Sequence, residues 1–282
     1  MKGNPMSFDT SAAATLAPSK IHEQYREAGY TIVRDGLDAA TVAAIRPRLD
    51  TMIANLPAGQ RAEWLVEPHV NAPDWQFWLE LSRNPAVIEK VAEAMGADEL
   101  MLVMSHLIVK PPRDGLAIHW HQDITYWPSV HGSEVATAWL AIDDVDVGNA
   151  CMHVLPSTHS ERARMEKIAT DGTDLLKVRV AVTPEQEASA VPCELRAGQF
   201  SLHDSFVIHG STVNTSDRRR AGFTMRYADA RRVTVDVDNH HVPVYYVRGD
   251  GSSLKPGIID LRPGKALPAT ARQQKPGPSP MG

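Results

Sequence analysis

Residues 99–123 read ELMLVMSHLIVKPPRDGLAIHWHQD, and the fold turns on how this stretch is parsed. Two short runs rich in Leu, Val, Ile and Met flank Pro111-Pro112 and Asp114-Gly115, which is the punctuation of strand, turn and strand. The same grammar continues downstream in EVATAWLAIDDV (134–145), CMHVLP (151–156), VRVAV (178–182), VPCEL (191–195), QFSLHD (199–204), FVIHGS (206–211) and AGFTMRYA (221–228). Eight or nine strands of this kind predict a mainly β (α+β) fold, a double-stranded β-helix of the jelly-roll or cupin-like type. The charged, irregular segment 156–190 interrupts the pattern, as a lid or as a long surface loop.

Upstream of Ala97 the periodicity is helical. Ser19 precedes KIHEQYREAG, with Gly29 as the stop signal. A short strand follows at Tyr30 to Val33. Asp38 is placed to N-cap the run AATVAAIRPRLDTMIANL, in which Pro47 should kink or offset the helix. Further helices are predicted at 74–82 and 85–95. These N-terminal helices are expected to pack outside the barrel. The domain reading is a flexible arm at 1–17, one domain over 18–260 (helical 18–96, jelly-roll core 97–230), and a Pro/Gly-rich disordered tail at 261–282.

Composition narrows the function. The chain is 43% hydrophobic and 22% charged, enough apolar residues for a substantial core. A net charge of −5 gives no basic field of the kind nucleic-acid binding needs. Cys151 and Cys193 are too few for a disulfide framework and fit a reducing compartment. No apolar run is long enough to span a membrane. The expected setting is cytoplasmic, with a small-molecule substrate and neither nucleic acid nor membrane as partner.

His121-Gln122-Asp123 carries the chemistry. On a strand, side chains at i and i+2 share a face about 6.6 Å apart, so an imidazole and a carboxylate can reach one ion. Such a pair is common by chance and needs a third ligand. His209, at the end of a predicted strand, supplies it and completes the two-histidine, one-carboxylate face of non-haem Fe(II) oxygenases. Arg220 lies eleven residues further on. Its guanidinium fork suits the distal carboxylate of a 2-oxo acid.

The blocks YREAGYTIVRDGLD, HLIVKPP, HWHQDITYWP, TAWLAIDDVDVGNACMHVLPSTH, AGQFSLHDSFVIHGS and NTSDRRRAGFTMRYA occur in this order. Together they resemble the phytanoyl-CoA dioxygenase (PhyH) family of Fe(II)/2-oxoglutarate oxygenases over roughly residues 20–230. The resemblance implies His121, Asp123 and His209 as iron ligands and Arg220 as the grip on 2-oxoglutarate. It also implies Ser211 as a second hold on that carboxylate and Trp139 as an aromatic wall beside the cosubstrate. Thr137 shares the Trp139 face by alternation, and His106 falls near the cosubstrate. The implied reaction consumes O2, releases succinate and CO2 and hydroxylates a small metabolite or natural-product intermediate. Desaturation, ring formation and epimerisation stay open on the same centre. Related halogenases carry a small residue where Asp123 stands, which disfavours halogenation.

Competing candidates are few. His119 alternates onto the face of His121 and is a rival ligand. His203 suits a hydrogen bond behind the metal. Trp120, Tyr126 and Trp127 crowd the first ligands, as pocket wall or as core. Met152 and His153 sit where a strand borders the mouth. Lys110 reads as a solvated strand end or as an anion contact. Two other classes also compete: a cupin-type metal enzyme without a 2-oxo acid, and a catalytically silent jelly-roll binding protein.

Overall fold

The computed structural model describes residues 19–170 and 174–269. In chain order the helical half contains α1 (Lys20–Ala28), β1 (Tyr30–Val33), α2 (Ala39–Ala54), β2 (Leu65–Val66), α3 (Pro68–Asn71), α4 (Trp75–Ser82) and α5 (Pro85–Met95). The sheet half begins with β3 (Leu100–Lys110), β4 (Ile118–His121), β5 (Val130–His131), β6 (Val135–Ala141) and β7 (His153–Leu155). Then come β8 (Ile168–Ala169), β9 (Val178–Arg179), α6 (Pro184–Ala188), β10 (Val191–Pro192), β11 (Phe200–Asp204) and β12 (Ile208–Ser211). The last strands are β13 (Arg220–Asp229), β14 (Thr234–Val235), β15 (Tyr245–Arg248) and β16 (Ile259–Asp260).

The helix ends follow the capping chemistry expected of them. Ser19 accepts from the His22 N–H, and Gly29 closes α1 at φ 79°, where a left-handed residue costs glycine nothing. Asp38 accepts from the Thr41 N–H to open α2, which continues through Pro47 to Ala54.

The main sheet runs β1-β11-β6-β13-β3-β15-β16, with β2 also on β3, and the second sheet runs β10-β7-β12-β4. The two sheets face each other as a double-stranded β-helix, and the helices cover the outside of the main sheet. Alternation divides β13 cleanly. Ala221, Phe223, Met225 and Tyr227 enter the core shared with α1, α2, α4 and α5, leaving Arg220, Gly222, Thr224 and Arg226 for the barrel interior. On β3 the parity changes, because Arg226 opposes Met104 while Tyr227 opposes Leu102. The extra residue lets Leu100, Leu102, Leu107 and Val109 all face the helices.

The first residues of the segment expected to be a tail, 261–269, are ordered. Leu261 is fully buried and Leu267 packs against the same core. The remainder of that tail and the N-terminal arm lie outside the described residues. Among the described residues, no helix is long and apolar enough to cross a membrane.

Candidate active site

His121 ends β4 and His209 lies directly opposite it on β12. The second sheet thus delivers two imidazoles side by side, with ring centroids 4.1 Å apart. Asp123 is not on the strand: it opens a short 3-10 turn, Asp123–Tyr126. The turn still brings its carboxylate to the histidines. Nε2 of His121 and of His209 lie 3.7 and 3.8 Å from Asp123 Oδ1, and one donor atom from each residue falls within 4.8 Å of the others.

The tautomers are set by the backbone. His121 Nδ1 sits 2.9 Å from the His119 carbonyl and His209 Nδ1 3.1 Å from that of Val207. A carbonyl only accepts, so each Nδ1 carries the hydrogen and each Nε2 turns a lone pair to the common point. Burial drives the His209 pKa well below its ordinary value. Burial alone would raise that of Asp123, but the nearby Arg226 charge and imidazole contacts outweigh it and hold the carboxyl well below the usual range. Two imidazoles and one carboxylate, all buried, are a donor set that fits a divalent transition metal.

The opposite end of the same cavity is cationic. Arg220 is 1% exposed, with its guanidinium carbon 4.5 Å over the Trp139 ring. Its Nε and Nη1 have no hydrogen-bond partner among the described residues. Burial depresses its pKa to about 10. A buried guanidinium with idle donors is costly unless an anion meets it, and an anionic cosubstrate fits this observation. Ser211 lines the cavity beside it. Gly222 makes room for Trp139, since a Cβ there would lie 2.1 Å from the indole Cζ2.

Lys110 corrects the reading of a solvated strand end. It is fully buried and donates to Ser211 Oγ at 2.7 Å and to the carbonyls of Ser211 and Thr212. Burial first, and Arg220 second, push its pKa well below the ordinary lysine value. Thr137 lines the cavity, but its hydroxyl donates to Asp123 Oδ2 at 2.7 Å, toward the histidine–carboxylate cluster rather than toward Arg220.

Other expectations shift. His106 bonds the Glu63 carbonyl at 2.8 Å and stacks near Trp64, away from the cavity lining. His119 turns outward, its ring 3.2 Å from Asp174, and so is no rival ligand. Trp120 packs with Leu155, Val180 and Ile208. The Tyr126 hydroxyl donates to the Val178 carbonyl and its ring meets His121 edge-on. Trp127 is core, with Arg226 over it. His153 Nδ1 lies 3.2 Å from its neighbour Cys151's carbonyl. Of these substrate candidates only Met152 lines the cavity, joined by Leu175 and Leu176 from the interrupting segment. Sequence reasoning passed over Arg226 and gave His203 only a supporting role. Both line the cavity, and alternation from Arg220 along β13 points to Arg226.

A jelly roll holding a two-histidine, one-carboxylate face in one cavity with a buried arginine has the donor arrangement that non-haem Fe(II) oxygenases use. The chain belongs to the phytanoyl-CoA dioxygenase family, whose profile, "Phytanoyl-CoA dioxygenase (PhyH)", matches residues 25–222. It is 22% identical to the peroxisomal phytanoyl-CoA dioxygenase of Bos taurus over 83% of this chain and 75% of that one. The chain spans about half the length of most of the curated relatives it matches. In fold it is similar to the apo non-heme monooxygenase ThoJ, at TM-score 0.68, 23% identity and 89% coverage of both chains. It is also similar to the non-heme alpha ketoglutarate dependent carbocyclase SnoK from nogalamycin biosynthesis, at TM-score 0.61, 22% identity, and 91% and 96% coverage.

Proposed function

We propose that this chain is an Fe(II)/2-oxoglutarate-dependent dioxygenase that hydroxylates a small metabolite or natural-product intermediate in the cytoplasm. One observation carries the reading: a single cavity holds the metal-ligand face and, at its other end, a buried arginine with unsatisfied donors. His121, Asp123 and His209 hold iron. Arg220 takes the distal carboxylate of 2-oxoglutarate as a fork, with Ser211 and Lys110 beside it and Trp139 as the wall between. Bound iron supplies dioxygen activation coupled to oxidative decarboxylation of 2-oxoglutarate to succinate and CO2.

The protein's part is to bind, orient and exclude water. Ile108, Ile118, Met152, Leu175 and Leu176 give the cavity its apolar walls, and these favour a substrate that offers an uncharged C–H-bearing portion. Trp120, Tyr126 and Trp127 are absent from the cavity lining, so the walls are aliphatic there rather than aromatic. Family membership and Arg220 together weigh against a cupin-type enzyme that needs no 2-oxo acid. The intact ligand set weighs against a silent binding protein.

The test is anaerobic. Fe(II) and then 2-oxoglutarate are added to apoprotein, and the weak visible charge-transfer band of a 2-oxo acid chelated to ferrous iron is sought. A band that is lost in His209→Ala is the expected result. Folded, iron-loaded protein that develops no band would overturn the 2-oxoglutarate reading.

A further inference from the structure

Asp123 offers its two carboxylate oxygens to different neighbours. Oδ1 faces the Nε2 atoms of His121 and His209 at 3.7 and 3.8 Å. Oδ2 accepts the 2.7 Å hydrogen bond from Thr137 Oγ1 and is approached by His203 Nε2 at 3.5 Å and Arg226 Nε at 3.8 Å. Those three groups come from three adjacent strands at one level. Thr137 on β6 stands directly opposite His203 on β11 and directly opposite Arg226 on β13.

His203 and Arg226 are 1% and 4% exposed. Both ring nitrogens of His203 and Nε of Arg226 have no hydrogen-bond partner among the described residues. Arg226 is steered by its other arm, where Nη1 donates to Thr224 Oγ1 at 2.8 Å. Donors kept this dry are costly unless they face an anion, and the anion that this row faces is Oδ2.

We infer that Thr137, His203 and Arg226 are positioning residues that hold Oδ2 of Asp123, so that the carboxylate ligates metal through Oδ1 alone. The inference rests on reading His121, Asp123 and His209 as the metal site. A carboxylate free to rotate would offer both oxygens and occupy a coordination position that the 2-oxo acid and dioxygen require. The row keeps that position open from the side of the main sheet, while the second sheet supplies the histidines.

Co(II) serves as the probe, titrated into metal-free full-length protein and followed by calorimetry and by its visible absorption bands. Thr137→Val, nearly isosteric, and Arg226→Met are expected to bind Co(II) roughly 10- to 100-fold more weakly than wild type, with altered visible bands. Thr137→Ser should restore both. Should Arg226→Met fail to fold, Thr137→Val decides alone. Wild-type affinity and an unchanged spectrum in folded variants would overturn the positioning role and leave the metal site standing. If wild type takes up no Co(II) that His209→Ala loses, the metal-site reading falls and the positioning role falls with it.

Discussion

Gly222 and Trp139 share one space, and the Arg220 end of the cavity depends on that sharing. A methyl group at position 222 would lie 2.1 Å from the indole, so Gly222→Ala must displace Trp139 or bend β13. We expect a loss of about 1–3 kcal/mol in stability together with weaker 2-oxoglutarate binding, measured by urea denaturation and by titration of the iron-loaded protein. An alanine variant with wild-type stability and affinity would show that the indole has room to move. Arg220→Met should weaken binding without destabilising the fold, since it removes a buried guanidinium whose donors are idle. Removing one member of a buried charge pair costs about 2–5 kcal/mol, which corresponds to a 2-oxoglutarate dissociation constant at least 30-fold higher, with Co(II) affinity retained. Unchanged cosubstrate affinity would remove Arg220 from its assigned role. At this scale the triad was legible because His121 and Asp123 stand two residues apart and His209 ends a later predicted strand, which a barrel can return to the same mouth. Lys110 was not. A lysine before two prolines reads as a solvated end, and only the pairing of β3 with β13, Arg220 opposite Lys110, brings it inside.

Elements set what those residues can reach, and the segment between β7 and β11 is the clearest case. Asp174 fastens it to β4: its carboxylate accepts from the His119 N–H at 2.8 Å and from the Leu176 N–H at 2.7 Å. The Leu175 N–H adds a bond to the Ala117 carbonyl at 3.1 Å. These bonds hold Leu175 and Leu176 against the cavity. Asp174→Ala should therefore release the segment without unfolding the barrel, because neither Leu175 nor Leu176 belongs to the larger core between the main sheet and the helices. The expected signature is faster limited proteolysis within 156–190 at an unchanged melting temperature. Equal cleavage rates would mean that the backbone bonds suffice. Helix limits were readable from Ser19, Asp38 and Gly29, because caps are local chemistry. The extra residue in β3 and the turn that carries Asp123 off its strand were not, since both depend on which strand lies opposite.

Across the whole molecule, the same burial that shapes the site makes the fold sensitive to acid. His69 is completely buried, with Nδ1 2.6 Å from Ser105 Oγ, and burial lowers its pKa from 6.5 to about 4. His106 is lowered to about 4 as well, by burial first and by the Arg226 charge second. Both imidazoles are neutral in the folded protein at pH 5, whereas in the unfolded chain they titrate near 6.5 and are mostly charged. Between those values the unfolded state binds protons that the folded state refuses, so stability is complete above about pH 6.5 and declines as pH falls toward 4. Each group contributes about 2 kcal/mol of loss between pH 7.5 and pH 5. Urea midpoints of the metal-free protein should fall accordingly. His69→Gln should be less stable at pH 7.5 yet show a shallower decline, because one of the two proton-refusing sites is gone. A midpoint that stays level from pH 7.5 to pH 5 in wild type would mean that the folded protein accepts these protons, and that neither imidazole is held neutral by its surroundings.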